Sequence, residues 1–266
     1  MINFGLMAEK VFDESQFNGN TAIIIGSGLG KLADTLNDKC IISYNDIPHY
    51  PKSTVEGHDG ELVVGTFQNQ QIIAGKGRFH YYEGYSFQQI TIPIHLFHEL
   101  GVNNIIITNS SGSMNTNFVP GSFMIVNGHM DCTYRYDPSD PNVFRGNPYH
   151  NPQMIDLAIS AGRKLSLDVN VGTYCWTLGP SYETPAEILD MQRMGGDAVG
   201  MSTVPEIIAA GELGMNILTI SCLTNFASGI SSTALSHEEV IRTAEKNSSN
   251  FIKLIKEIFL EFPKLD

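Results

Sequence analysis

Three short segments of this 266-residue chain carry residue types able to hold an anion or a flat polar ring. The first, Gly26-Ser27-Gly28-Leu29-Gly30, follows the apolar run Thr21–Ile25 and precedes a predicted helix at Lys31. Glycines there let backbone N–H groups approach an anion, and a helix N-terminus would add positive potential. The segment is not the dinucleotide fingerprint, because Lys31 occupies the third glycine position of G-x-G-x-x-G, and it is not a Walker loop. A plain strand-to-helix turn fits it equally well. The second segment is Gly77-Arg78-Phe79-His80-Tyr81-Tyr82-Glu83-Gly84-Tyr85. Arg78 can grip an anion with two parallel hydrogen bonds, and His80 can share the load. A surface ion pair flanked by core-edge tyrosines is the plainer alternative.

The third segment, Gly179-Pro180-Ser181-Tyr182-Glu183, lies just ahead of a helix start at Thr184. An aromatic face beside a carboxylate suits a flat heterocycle bearing N–H donors. A glutamate stabilised by a helix N-terminus accounts for it as well. Gly200-Met201-Ser202-Thr203 ends a short strand and opens a helix, a place where a hydroxyl can meet phosphate; with Val204 in place of glycine it is not a nucleophile elbow. Asn225 follows the predicted strand Asn216–Leu223, and open α/β sheets bind ligands at strand carboxyl ends. His237 falls in the first turn of the last helix, where the dipole favours neutral imidazole and where a solvated histidine is commonplace. These residues amount to an anion site and a planar-ring site, without naming a reaction.

The elements that must position them follow an α/β pattern, short apolar runs alternating with helix-length segments. Strands are expected at Thr21–Ile25, Glu61–Phe67, Gln71–Ala74, Asn104–Thr108, Phe123–Val126, Val169–Cys175 and Asn216–Leu223. The runs 61–67 and 71–74 flank Gln68-Asn69-Gln70 and should form an antiparallel hairpin, which makes the central sheet mixed. Thr184-Pro185-Ala186-Glu187 and Ser236-His237-Glu238-Glu239 read as capping boxes. Phe251, Leu254, Ile255, Ile258 and Phe259 form a buried stripe on the last helix, and Val204–Leu213 is a third helix. No repeat or linker divides the chain, so one domain over 1–266 is expected, with the sheet flanked by helices. The least regular stretch, Asp131–Pro152, has the length of a lid or an interface element.

Composition narrows the partners. Lys and Arg number 16 against 28 Asp and Glu, a net charge of −12, and the charged fraction is 17%. An acidic chain without a basic cluster is a poor partner for nucleic acid or anionic membrane, so an anionic ligand needs a local trap. Cys40, Cys132, Cys175 and Cys222 are widely spaced, which favours reduced thiols over a disulfide framework. Glu9, Lys10, Asp13 and Glu14 stand where a signal peptide needs apolar residues, and no run approaches the roughly 18 apolar residues of a membrane span. A cytoplasmic protein is expected.

Five motifs in register, namely Gly26–Gly30, Ser53-Thr54-Val55-Glu56-Gly57-His58, Gly77–Tyr85, Gly179–Thr184 and Val199-Gly200-Met201-Ser202-Thr203-Val204-Pro205-Glu206, resemble the trimeric purine nucleoside phosphorylases. The similarity runs from about Asn20 to the last helix. It implies reversible phosphorolysis of a purine nucleoside to base and pentose 1-phosphate, serving purine salvage, in a homotrimer without cofactor or metal. By position, Ser27, His58, Arg78, His80, the Ser110 backbone and Ser202 would hold phosphate. Tyr82, Met201 and His237 would meet the sugar, and Tyr182, Glu183 and Asn225 the base. Asn225, Glu183 and His80 would be the catalytic set. Glu183 with Asn225 favours 6-oxopurines such as inosine and guanosine. The sister enzymes cleaving methylthioadenosine carry aspartate at the Asn225 position and lack the Glu183 and His237 equivalents.

Two departures bear on specificity. The usual Asn-Ala-Ala-Gly-Gly is Asn109-Ser110-Ser111-Gly112-Ser113 here, and Asp-His-Ile-Asn is Gly128-His129-Met130-Asp131. In relatives the loop that follows sends an aromatic residue over the neighbouring subunit's sugar; Tyr134 or Tyr136 would do so here. The alternatives left by the sequence are xanthosine or methylthioadenosine as substrate, a weakly catalytic nucleoside-binding protein, and a hydrolytic nucleosidase.

Overall fold

In the computed structural model, residues 2–52, 60–135, 141–231 and 235–261 are described. Ten strands are assigned there: β1 (Thr21–Ile25), β2 (Asn37–Ser43), β3 (Glu61–Phe67), β4 (Gln70–Lys76), β5 (Asn104–Ser113), β6 (Phe123–Asp131), β7 (Phe144–Arg145), β8 (Val169–Trp176), β9 (Ala198–Gly200) and β10 (Asn216–Phe226). They build one mixed sheet in the order β10-β6-β8-β9-β5-β1-β4-β3-β2, with β7 on the edge of β6. Because β5 also pairs with β10, the strands β10, β6, β8, β9 and β5 close on themselves, and β1, β4, β3 and β2 extend as an open wing. The expected hairpin is β3–β4, turned by Gln68 and Asn69 at φ 48° and 64°. Positive φ at both central residues is the turn whose twist matches antiparallel strands.

The helices are α1 (Phe4–Ser15), α2 (Lys31–Asp34), α3 (Phe87–Ile90), α4 (Ile92–Glu99), α5 (Pro152–Lys164), α6 (Pro185–Arg193), α7 (Val204–Glu212) and α8 (His237–Glu261). Both faces of the central strands are covered, which is why they read as unbroken apolar runs. On one face Ile24, Ile105, Ile107 and Ile217 meet Met7 and Val11 of α1, Leu96 and Phe97 of α4 and Ile207 of α7. On the other, Ile23, Ile25, Ile106 and Ile220 meet Met154 and Ala158 of α5 and the α8 stripe. Phe251, Leu254, Ile255, Ile258 and Phe259 are all fully buried, each contributing roughly 1.5–3 kcal/mol. The capping box of α6 is present as expected, Thr184 and Glu187 exchanging side chain-to-backbone bonds, and Ser236 caps α8 through the Glu239 amide.

Several elements depart from the expected pattern. The acidic N-terminal stretch is α1, capped when the Asn3 side chain accepts from the Leu6 amide, with Met7 and Val11 turned inward. α5 emerges at the end of the irregular 131–152 segment, capped by Asn151 with Pro152 in its first turn. Its Asn-Pro opening is a helix-start signal. α2 is a single four-residue turn, too short to add the helix dipole anticipated behind the glycine loop. β5, β6 and β10 run several residues beyond their apolar cores into polar sequence, because pairing with neighbours carries them on. Within 131–152, Arg135 is anchored over the rings of Phe87, Tyr81 and Trp176 at 4.0, 4.9 and 4.9 Å. Tyr136 lies outside the described residues. All four cysteines are unpaired, and among the described residues no helix is long and apolar enough to cross a membrane.

His129 on β6 and His150 face one another, Nδ1 to Nε2 at 2.8 Å, both about 1% exposed. Burial, with His150 as neighbour, pushes His129 down to about 3; burial, with Arg145 adding to it against the Val126 carbonyl, pushes His150 down to about 4. Both fall below the ordinary value of about 6.5, so the unfolded chain takes up protons that the native pair refuses. The stability this confers is complete above pH 6.5 and is lost as the pH falls toward 4. Urea unfolding between pH 6.5 and 4.5 should show roughly two more protons bound on unfolding by the native sequence than by a His129→Gln/His150→Gln variant. Equal pH slopes would contradict this.

Candidate functional site

The carboxyl ends of β1, β5, β9 and β10 converge on a cavity of about 340 Å³. Its wall includes Ser27, Arg78, His80, Tyr82, Ser110, Tyr182, Glu183, Met201, Ser202 and Asn225, so ten of the twelve residues expected at the site come together. His58 lies outside the described residues, as does the side chain of His237.

Arg78 is the cation of this wall, and it is 2% exposed. Its Nε and Nη2 donate to the two carboxylate oxygens of Glu206 at 3.2 and 2.8 Å, and Nη1 donates to the Thr108 carbonyl at 2.7 Å. The two-pronged edge expected to face an anion is therefore turned to Glu206, itself 1% exposed in the first turn of α7. The physical reason is desolvation: a guanidinium this deep needs a counter-charge before any ligand arrives. Thr108 binds the neighbourhood together, its hydroxyl donating to the Ile24 carbonyl at 2.9 Å and accepting from the Gly26 amide at 3.0 Å. Gly28 sits at φ 76° with Ala244 of α8 so close that a Cβ would approach it to 2.5 Å, which only glycine allows.

His80 is buried against Tyr82, ring centroids 4.8 Å apart and nearly parallel. Glu83 accepts from both the His80 amide, at 2.8 Å, and Nδ1, at 2.9 Å. An ionised carboxylate can only accept, so Nδ1 carries the proton. Burial, aided by Arg78 and opposed by Glu83, pushes the imidazole below its ordinary range, leaving it neutral near pH 7. Burial likewise raises the Tyr82 phenol to about 12, so it stays a neutral hydroxyl.

Elsewhere on the wall, Thr177 donates to Glu183 at 2.5 Å and so steadies the carboxylate. Asn225 sits at the register shift between β10 and β5, where the bulge re-aims its side chain. Thr224 donates to Asn225 Oδ1 at 2.8 Å, which assigns Nδ2 as the donor of the amide. Gly112 faces that Nδ2, and a Cβ there would lie 3.2 Å from it. Met201 packs against Gly179, where a Cβ would come within 2.3 Å of its sulfur.

Sequence reasoning attached no role to Glu206, Thr108, Asn109, Thr177 or Glu83. Glu206 looked like an ordinary acidic residue in a helix first turn, and Arg78 is 128 positions away. The departures in 109–113 are absorbed quietly: Ser110 Oγ donates to the Ser27 carbonyl at 2.8 Å and Ser113 Oγ to the Asn115 carbonyl at 2.9 Å. Ser111 Oγ is buried and makes no hydrogen bond among the described residues.

Residues 20–260 match the Phosphorylase superfamily. The chain is 43% identical over 249 residues to purine nucleoside phosphorylase 1 of Geobacillus stearothermophilus, covering 91% of each. It is 42% identical over 247 residues to purine nucleoside phosphorylase 1 of Bacillus subtilis, covering 90% of this chain and 91% of the relative. The chain belongs to the purine nucleoside phosphorylases of the Phosphorylase superfamily. Its fold superposes on a schistosoma purine nucleoside phosphorylase in complex with hypoxanthine with a TM-score of 0.88 at 31% identity, covering 97% of this chain and 96% of that one. In this phosphorylase-family chain the Arg78–Glu206 pair is fully desolvated. Glu206→Gln should therefore lower the unfolding free energy by about 3 kcal/mol or more, since a buried guanidinium loses its counter-charge. Urea denaturation reads this; a loss under about 1 kcal/mol would show the pair to be dispensable.

Proposed function

We propose that this enzyme catalyses reversible phosphorolysis of 6-oxopurine nucleosides, with inorganic phosphate as co-substrate. The observation that carries the reading is one cavity whose wall combines two unlike sets of groups: Arg78, His80, Ser27, Ser110 and Ser202, suited to an anion, and Tyr182, Glu183 and Asn225, suited to a planar polar ring. Phosphate fits the first set, in which hydroxyls and backbone N–H groups join a guanidinium already neutralised by Glu206. His58, His80 and the Ser110 backbone complete its ligands. The sugar falls to Tyr82 and Met201 of the wall, with His237 assigned to it by the family motif alone. The base lies beside Tyr182, with Glu183 accepting from N1–H and Asn225 at N7 and O6, its Nδ2 the donor.

Cleavage of the glycosidic bond builds positive charge at C1′ and negative charge on the purine. Phosphate stabilises the first and then forms the new C1′–O bond, while the departing electron pair goes to the base. Asn225 stabilises that pair as an oriented donor, and Glu183 holds the ring in register. Positioning two reactants in one cavity removes an entropic barrier that can reach roughly 7–11 kcal/mol. The reaction needs no resident cofactor, because the co-substrate is the nucleophile. We place the enzyme in the cytoplasm, in purine salvage, as a homotrimer. In support of subunit contacts, Tyr134 is 46% exposed on the 131–152 segment and lines a second cavity together with Tyr182 and Glu183.

Purified enzyme should cleave inosine and guanosine faster than xanthosine or adenosine, and only with phosphate present. Cleavage at equal rate without phosphate would indicate a hydrolytic nucleosidase, and binding without turnover a nucleoside-binding protein. Asn225→Asp should move the ratio of kcat/KM toward adenosine by about tenfold or more, because an accepting oxygen replaces a donor at the 6-position edge. An unchanged ratio would remove Asn225 from base selection.

A further inference from the structure

Thr203 breaks two rules of local structure at once. It is β-branched yet sits at φ 79° and ψ −49°, and the Val204 amide donates back to the Ser202 carbonyl at 2.9 Å. This is a strained γ-turn that β-branched residues seldom adopt. It also occupies the N-cap of α7, where threonine ordinarily caps the helix, but its hydroxyl makes no capping bond. That hydroxyl instead accepts from Asn109 Nδ2 at 3.0 Å and lies 3.0 Å from Ser202 Oγ. Asn109 and Thr203 are each 1% exposed; Asn109 and Ser202 both line the cavity, and Thr203 links them from behind the wall. Backbone strain together with a forgone cap, both beside a substrate cavity, points to a conformation held for function.

The donors and acceptors of these three side chains allow one direction that serves an anion. An amide nitrogen only donates, and a hydroxyl has one proton and two lone pairs. Reversing the Asn109 amide would strand a buried N–H group, a rarer condition than an under-used carbonyl. Thr203 Oγ1, already accepting from Asn109, can give its proton to Ser202 Oγ at 3.0 Å, and that direction leaves the Ser202 proton available to the cavity. The Tyr174 phenol is fully buried next to Ser202 and Thr203, close enough for both to influence its proton affinity. We propose that Asn109 and Thr203 are positioning residues that present Ser202 to phosphate as a hydrogen-bond donor. Phosphate oxygens are acceptors, so the opposite orientation would set lone pair against lone pair. The proposal rests on Ser202 being a phosphate ligand.

A double-mutant cycle separates the two claims. Thr203→Val keeps the branched shape and removes the relay, Thr203→Ser keeps the hydroxyl, and Ser202→Ala removes its target. Phosphate KM is measured at saturating inosine, and inosine KM at saturating phosphate. Thr203→Val and Ser202→Ala should each raise phosphate KM about tenfold or more, with inosine KM little changed. Thr203→Ser should stay within about threefold of the native value, and Thr203→Val should add nothing in the Ser202→Ala background. Additive effects, or no rescue by serine, would overturn the relay. A large Ser202→Ala effect with a silent Thr203→Val would defeat the relay alone, and a silent Ser202→Ala would remove Ser202 from the phosphate site. Should Thr203→Val not fold, Asn109→Asp serves: isosteric but accepting only, it reverses the chain and should also raise phosphate KM, and an unchanged value would overturn the proposal.

Discussion

The fixed point of this structure is the buried pair between Arg78 and Glu206. A guanidinium removed from water costs several kcal/mol unless a charge and good hydrogen bonds meet it. In a chain of net charge −12 the long-range field repels an anionic substrate, so the local site must supply the attraction. Placing Arg78 at depth strengthens whatever field it contributes, and Glu206 makes that depth tolerable. The requirement then propagates outward. α7 must begin with its first turn facing inward, which brings the Ser202–Thr203 corner to the cavity. β5 must run so that the Thr108 carbonyl, at mid-strand, meets Nη1 while its hydroxyl ties the glycine loop to β1.

The same geometry divides the chemistry. The cavity wall joins serine hydroxyls and a compensated cation with an amide and a carboxylate that are each held by a threonine. Thr224 fixes Asn225 and Thr177 steadies Glu183, so the two groups proposed to meet the base are already oriented in the free protein. Orientation paid in advance by the fold is what makes such donors effective where charge develops. His80 shows the same economy: Glu83 selects its tautomer through Nδ1, and burial keeps the ring neutral.

Much of this was legible in the residues. The central strands announce themselves as unbroken isoleucine runs, and α6 and α8 through their capping signals and, for α8, the apolar stripe. The lining residues were readable because each sits in a local motif at a strand end. What escaped were relations across the chain. Nothing near Glu206 distinguishes it from a surface acid in a helix first turn, and Arg78 alone suggests an anion ligand with its fork exposed. Thr203 reads as a plain N-cap until its φ is known, and Asn109 reads only as the first residue of the altered segment after the strand Asn104–Thr108. α1 and α5 were hidden because their apolar faces are narrow and their polar faces dominate the local composition. These features depend on which elements pack together, and local pattern does not carry that information.

The central claim is that phosphate bound beside Arg78 in the cavity becomes bonded to the sugar. Phosphorus NMR of the enzyme with inosine and limiting phosphate tests it directly. The inorganic phosphate signal should decline as a pentose 1-phosphate signal grows, one equivalent for each hypoxanthine released. Release of hypoxanthine with the phosphate signal unchanged would contradict it.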